Sequence, residues 1–247
     1  MRFRTLWLLL FLTSGSSCSL RKDRIVKESI TYEGRDRTYY LFTPEDLDPS
    51  KPAPVLIALH GVGVGPLDGS ELVENWKKLA NKMGIIVIGP SAISAWTSEK
   101  PDFLRFLVES VKTRFNIDPH RVYLTGFSNG GCAAFTTVLK QPGYFAAVAV
   151  YSGIIQPRQI TSLPPNDRRT PIAIWVGDND NRVSMKQVNY SVDFLKKYGF
   201  RVQITTVPGA GHLGMEREEI NPAVWEFLGS KVRDDDPQWI DYRTSTR

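Results

Sequence analysis

The sequence predicts an α/β domain with a mostly parallel central sheet and helices on both faces. Apolar runs rich in β-branched residues alternate along the chain with segments whose apolar residues recur at helical spacing. Several of those runs are apolar throughout, as strands covered on both sides must be.

In chain order, strands are expected at TYYLFTP (38–44), PVLIALH (54–60), IIVIGP (85–90), RVYLTGF (121–127), AAVAVYSG (146–153), PIAIWVG (171–177) and RVQITTV (201–207). Between them, Leu72, Val73, Trp76, Leu79, Ala80 and Met83 fall on one helical face, as do Phe103, Phe106, Leu107, Val111 and Phe115, and later Met185, Val188, Val192 and Leu195. These aromatics and methionines read as core stripes, and Trp175, inside an apolar run, reads as core too. A last helix over roughly 214–229 carries Ile220, Ala223, Val224, Phe227 and Leu228. The remaining KVRDDDPQWIDYRTSTR (231–247) has no period and is expected to form a loose tail. With no internal repeat and no low-complexity linker, residues 18–230 are expected to form one domain.

The N-terminus has a different composition. MRFRTLWLLLFLTSGSSCSL places Arg2 and Arg4 before an apolar block from Leu6 to Leu12 and then small polar residues, the layout of an export signal over residues 1–17. The block is too short for a permanent membrane span. Two outcomes remain open: cleavage and release to the periplasm or medium, or lipid attachment at Cys18 that leaves the chain membrane-anchored. Either outcome leaves Cys132 without a disulfide partner, so it reads as a small buried residue. Losing residues 1–17 removes two arginines and no acid, which lowers the net charge from +5 to +3. That small surplus, without an arginine-rich run or a basic patch interleaved with aromatics, argues against a nucleic-acid partner.

Chemistry concentrates at GFSNG (126–130), which fits G-x-S-x-G, the sharp strand-to-helix turn that lifts a serine hydroxyl clear of a sheet. An apolar strand precedes it and a small-residue helix, GGCAAFTTVLK, follows. A serine hydroxyl is a poor nucleophile at neutral pH unless a base takes its proton and a third group orients that base. Of three histidines, His60 and His120 precede Ser128, whereas the order Ser, acid, His of the α/β-hydrolase fold needs a later one. His212, in the glycine-rich PGAGHLGM, satisfies it. The acid should follow a strand between the two, where Asp178 and Asp180 both stand. Asp180 is preferred because it lies further out in the loop, and Asp178 then caps the turn. Asp167 precedes the strand and Asp193 lies within a helix. Oxyanion donors are expected from the backbone of Val62, in the loop LIALHGVGVGP, and of Asn129. His60 is expected to brace that loop, since no zinc-like spacing surrounds it.

With these residues in place, the chain resembles secreted α/β-hydrolase esterases that include polyhydroxybutyrate-depolymerase-like and feruloyl-esterase-like enzymes. The resemblance runs through GRDRTYYLFTPEDLDPSKPAPVLIALHG, FNIDPHRVYLTGFSNGG, FAAVAVYSG, GDNDNRV and GAGH, covering roughly residues 34–229. It implies Ser128 as nucleophile, His212 as base and Asp180 as acid through a G-x-x-D-x-x-V pattern, with no cofactor and no metal. Many such relatives carry a cysteine in the oxyanion loop, whereas this loop reads HGVGVG. They also hold an aromatic near the cleft, where Trp96 stands here; it is assigned either to stacking on substrate or to a structural role. Only a short segment separates Gly153 from Pro171, so a minimal lid is expected. The expected activity is hydrolysis of short-chain, acetyl, feruloyl or hydroxyalkanoate esters, either small or polysaccharide-linked. The alternatives are amide or peptide hydrolysis at the same site, and a non-catalytic exported binding protein that keeps the fold.

Overall fold

The computed structural model describes residues 25–62, 68–93, 95–96, 100–156, 160, 169–212 and 219–241. The expected signal segment, Cys18 and most of the expected minimal-lid segment lie outside these residues.

Eight strands form one sheet: β1 (Val26–Tyr32), β2 (Arg35–Phe42), β3 (Ala53–Leu59), β4 (Ile86–Pro90), β5 (Ile117–Phe127), β6 (Ala147–Tyr151), β7 (Ile172–Gly177) and β8 (Val202–Val207). Their order across the sheet is β1-β2-β4-β3-β5-β6-β7-β8. The β1–β2 and β2–β4 pairs are antiparallel and the five others are parallel. The helices are α1 (Ser70–Met83), α2 (Asp102–Lys112), α3 (Asn129–Lys140), α4 (Met185–Lys197) and α5 (Asn221–Gly229). This is the α/β-hydrolase fold.

The strands read as apolar throughout are buried throughout. Every residue of β3, β4, β6 and β7 is inaccessible to solvent or nearly so. One face is covered by α2, α3 and α4 through Phe103, Leu107, Phe135, Val138, Val188 and Leu195. The other is covered by α1 and α5 through Leu72, Val73, Trp76, Val224, Trp225 and Leu228. Each such side chain contributes about 1.5–3 kcal/mol by leaving water. The stripes stop short of the helix ends, where Met83 (45% exposed) and Met185 (36%) face solvent. Phe106 is 37% exposed, its ring resting against Tyr32 at 5.1 Å. Helix α4 is started by a reciprocal capping box between Ser184 and Gln187.

Four elements differ from the sequence reading. The last helix begins at Asn221 after a turn at Glu219 and Ile220, and residues 214–218 of its expected span lie outside the described residues. β1 is an additional edge strand whose residues are exposed or half-buried, so it carries little apolar signal. β5 begins at Ile117 because Asp118, Pro119 and His120 extend the strand past its apolar part. The tail is not loose as far as residue 241. It lacks regular structure, yet Gln141 holds it through Nε2–H to Ile240 O (2.8 Å) and through Oε1 from Ile240 N–H (2.7 Å). Trp239 packs edge-on to Tyr144 at 4.8 Å and donates its indole N–H to Asp102, contacts that need no helical or strand period.

Candidate active site

The predicted site residues lie at the C-terminal ends of the parallel strands, on loops and, for Asn129, at the start of α3. β5 ends at Phe127, and Ser128 turns the chain into α3 with φ 53 and ψ −115, a conformation a non-glycine residue holds only where its surroundings enforce it. Glycines on either side make the turn feasible. A Cβ on Gly126 would lie 2.3 Å from Gly130 O, and one on Gly130 would lie 2.1 Å from Leu59 O. The bend is pinned by Ser128 N–H to Tyr151 O (2.9 Å) and Cys132 N–H to Ser128 O (3.0 Å).

The loops after β7 and β8 are tied to each other before they supply their side chains. Asn179 N–H donates to Ala210 O (2.9 Å), and Gly209 N–H donates to the Asp178 carboxylate (2.8 Å). Asp178 thus caps the turn, while Asp180 faces inward with its side chain 1% exposed. His212 Nδ1 lies 3.0 Å from both Asp180 carboxylate oxygens, and His212 Nε2 lies 2.9 Å from Ser128 Oγ. An ionised carboxylate only accepts, so Nδ1 carries the hydrogen and Nε2 of the neutral ring is free to accept from the serine hydroxyl.

Burial pushes the Asp180 carboxyl up, but the Val183 amide, the Ser152 hydroxyl, the His212 ring and the Arg182 amide outweigh it and hold the group below the usual carboxylate value. The two amides donate to Oδ1 at 2.8 and 2.9 Å. The Ser152 oxygen acts at longer range, being buried without a hydrogen bond of ordinary geometry. Ser152 was not found from the sequence, where YSG reads as a strand end. It too has a positive φ, 46°, at the end of the strand adjoining β5.

Of the expected oxyanion donors, Asn129 follows Ser128 in the chain and Val62 follows Gly61, where an added Cβ would lie 3.4 Å from Ser128 Cβ. Asn129 is the first residue of α3, where an N–H has no acceptor within the helix and the helix dipole favours negative charge. Val62 lies three residues beyond β3 and is 43% exposed. His60 braces that loop: it accepts from Ala92 N–H at Nε2 (3.1 Å), which leaves Nδ1–H to donate to Gly61 O (2.8 Å). Burial holds its pKa below the ordinary imidazole value.

The substrate-stacking role for Trp96 does not hold. Its side chain is only 4% exposed, packs in the core and donates Nε1–H to His60 O at 2.7 Å. The sequence places an indole near the cleft but does not say whether it points outward or back under the loop. Cys132 is a free, buried thiol, and His120 lies elsewhere, against Arg233 O at 3.1 Å. Among the described residues no group of His, Cys, Asp and Glu could hold a metal ion.

Residues 93–227, more than half of the chain, match the family model described as the dienelactone hydrolase family. Among curated proteins, the chain is 28% identical over 172 residues to the bifunctional acetylxylan esterase/xylanase XynS20E of Neocallimastix patriciarum, covering 67% of this chain and 24% of that protein. It is 30% identical over 132 residues to feruloyl esterase B of Thermothelomyces thermophilus, covering 47% of this chain and 43% of that one. It therefore spans less than half the length of either relative. Among solved structures, a thermostable esterase superposes with a TM-score of 0.69 at 22% identity, covering 87% of this chain and 64% of that one, a likeness of fold.

Proposed function

The chain belongs to the dienelactone hydrolase family, and from that membership and the geometry around Ser128 we propose that it is a serine carboxylic-ester hydrolase. The observation that carries the reading is the continuous relay from Ser128 Oγ through His212 to Asp180, with each link at 2.9–3.0 Å.

In this reading Ser128 Oγ attacks the ester carbonyl carbon while His212 Nε2 takes its proton, and Asp180 stabilises the imidazolium. The carbonyl oxygen becomes an oxyanion that accepts from Val62 and Asn129 N–H. As the tetrahedral intermediate collapses, His212 returns the proton to the departing alcohol and leaves an acyl-serine. Water activated by His212 then attacks the acyl carbon, and the carboxylic acid departs as Ser128 regains its proton. No step requires a cofactor.

The substrates we assign are short-chain, acetyl, feruloyl or hydroxyalkanoate esters, including polysaccharide-linked ones. The names of the acetylxylan and feruloyl esterases to which the chain is similar support the acetyl and feruloyl members of this set. The charged start and apolar block at residues 1–17 support action outside the cytoplasm, with Cys18 as a lipid anchor if it is retained and acylated.

The test is turnover of p-nitrophenyl acetate, methyl ferulate and a 3-hydroxybutyrate ester, with Ser128→Ala as blank. Loss of activity on the order of 10⁴- to 10⁶-fold is expected, together with loss of labelling by a fluorophosphonate. Turnover by Ser128→Ala at the wild-type rate refutes the reading. Faster cleavage of a matched anilide than of its ester moves the assignment to amide hydrolysis.

A further inference from the structure

We propose that Trp96 is a positioning residue that sets the distance between the two oxyanion donors by bonding to both segments that carry them. The inference rests on the ester-hydrolase reading of Ser128.

The two donors come from separate parts of the chain. Val62 N–H follows β3, and Asn129 N–H opens α3. Two donors can stabilise one oxygen only if their spacing is held within about 0.5 Å. Neither backbone fixes the other's distance through a regular hydrogen-bond ladder, because β3 has already ended at Leu59.

Gly130 packs closely against Leu59 O and His60 O, and Trp96 adds hydrogen bonds to both segments from its two ends. Its indole Nε1–H donates to His60 O at 2.7 Å, two residues before Val62. Its backbone N–H donates to Asn129 Oδ1 at 3.1 Å, a side-chain contact to the same residue whose backbone N–H is assigned to the oxyanion. The ring is buried, with its centroid 5.0 Å from that of His60, so the indole has little freedom to swing away. The segment before it adds a further tie to the same loop through Ala92 N–H to His60 Nε2 at 3.1 Å.

This arrangement explains why both polar positions are used. A phenylalanine would fill most of the same space but leave His60 O without its donor, and buried carbonyls are rarely left so. An alanine at 129 would keep the backbone donor yet release it from Trp96. The expected cost falls on the transition state, because the hole is needed only when charge develops on the carbonyl oxygen.

Trp96→Phe tests the proposal, with unfolding temperature and circular dichroism as checks of folding. We expect kcat for p-nitrophenyl acetate to fall about 10- to 100-fold, in line with misplacements of about 1 Å, while KM stays within about 2-fold. Affinity for a trifluoromethyl ketone, which mimics the tetrahedral adduct, should fall by the same factor as kcat/KM. Asn129→Ala severs the other bond, and the Trp96→Phe/Asn129→Ala pair should lose less than the product of the single losses. If Trp96→Phe does not fold, Asn129→Ala alone decides, by the same split between kcat and KM. A folded Trp96→Phe with wild-type kcat, or one whose defect lies in KM with ketone affinity intact, overturns the clamp. Loss of turnover in Ser128→Ala alongside a normal Trp96→Phe removes the clamp and leaves the ester-hydrolase reading standing. Full turnover in Ser128→Ala removes that reading itself.

Discussion

The two ends of the sheet are built on opposite principles. At the C-terminal ends of the parallel strands, Ser128 and Ser152 are held at positive φ without being glycine. There, the loop after β3 is bonded to the loop after β4, and the loops after β5, β7 and β8 are bonded to one another. At the N-terminal ends no non-glycine residue among those described shows such a backbone. That end gathers cations beside helix C-termini: Arg169 donates to Tyr198 O just past α4, and Lys231 follows the end of α5. A cavity of about 610 Å³ is lined by Arg169, Arg201, Lys231 and Arg233 together with Asp234 and Asp235. Positive charge there complements the negative ends of the helix dipoles. One end therefore holds strained backbone beside Ser128, His212 and Asp180; the other sets cations against helix C-termini. Open α/β sheets bind ligands beyond the carboxyl ends of their strands.

The strongest way to break the comparison is to compare two aspartates two residues apart. Asp180→Asn removes the charge that stabilises the His212 imidazolium and should lower kcat on the order of 10⁴-fold. Asp178→Asn alters only the cap on Gly209 N–H and should cost less than about 3-fold. Ester turnover of the two variants decides it, and the reverse order would move the acid to Asp178.

Away from the site, Trp239→Ala should reverse the pattern. The indole fills the angle between Tyr144 and Phe145 and bonds Asp102. Its loss should destabilise the chain by about 2 kcal/mol, a drop in unfolding temperature of about 4–8 °C, with kcat/KM unchanged. An unchanged melting curve would mean that the segment through residue 241 is not anchored as described.

How far the sequence reveals each end follows from the same contrast. The elements of the core were legible because burial on both faces leaves continuous apolar runs such as β3 and β7. Ser128 and His212 were legible because a strained turn and a chain order each constrain residue type. The sequence leaves Trp96 open between stacking and structure and reads the tail as loose, because hydrogen-bonded contacts of single side chains leave no period in a sequence. β1 went unseen because an exposed edge strand needs no apolar pattern. Ser152 is hidden in the sequence for a related reason: its backbone conformation favours glycine, and its influence on the Asp180 carboxyl shows only in the fold.

Ser152→Gly separates these two demands. Glycine relieves a left-handed backbone that costs about 1–3 kcal/mol in other residues, so stability should hold or rise by up to about 1 kcal/mol. The carboxylate loses one of the groups that favour its ionised form, and kcat should fall about 5- to 10-fold. Chemical denaturation and ester kinetics on the same preparation give both values. A variant that is less stable and fully active would assign Ser152 to packing alone.

The smallest effect concerns His60, which belongs to the strained end yet titrates as part of the scaffold. Burial lowers its pKa from the ordinary 6.5, against the raising influence of the Gly61 carbonyl, Asp68 and Glu71. A depressed folded-state pKa means that the unfolded chain takes up the proton first as pH falls. The stability this group confers is therefore complete above 6.5 and is lost as pH drops through the lowered folded-state value. Protonation would also turn Nε2 from acceptor to donor and expel Ala92 N–H from its partner. His60→Gln should be less stable than the wild type near neutrality, and the gap should narrow on acidification from about pH 7 to about pH 5. A gap that stays constant across that range would place the brace in the shape of the ring and not in its protonation state.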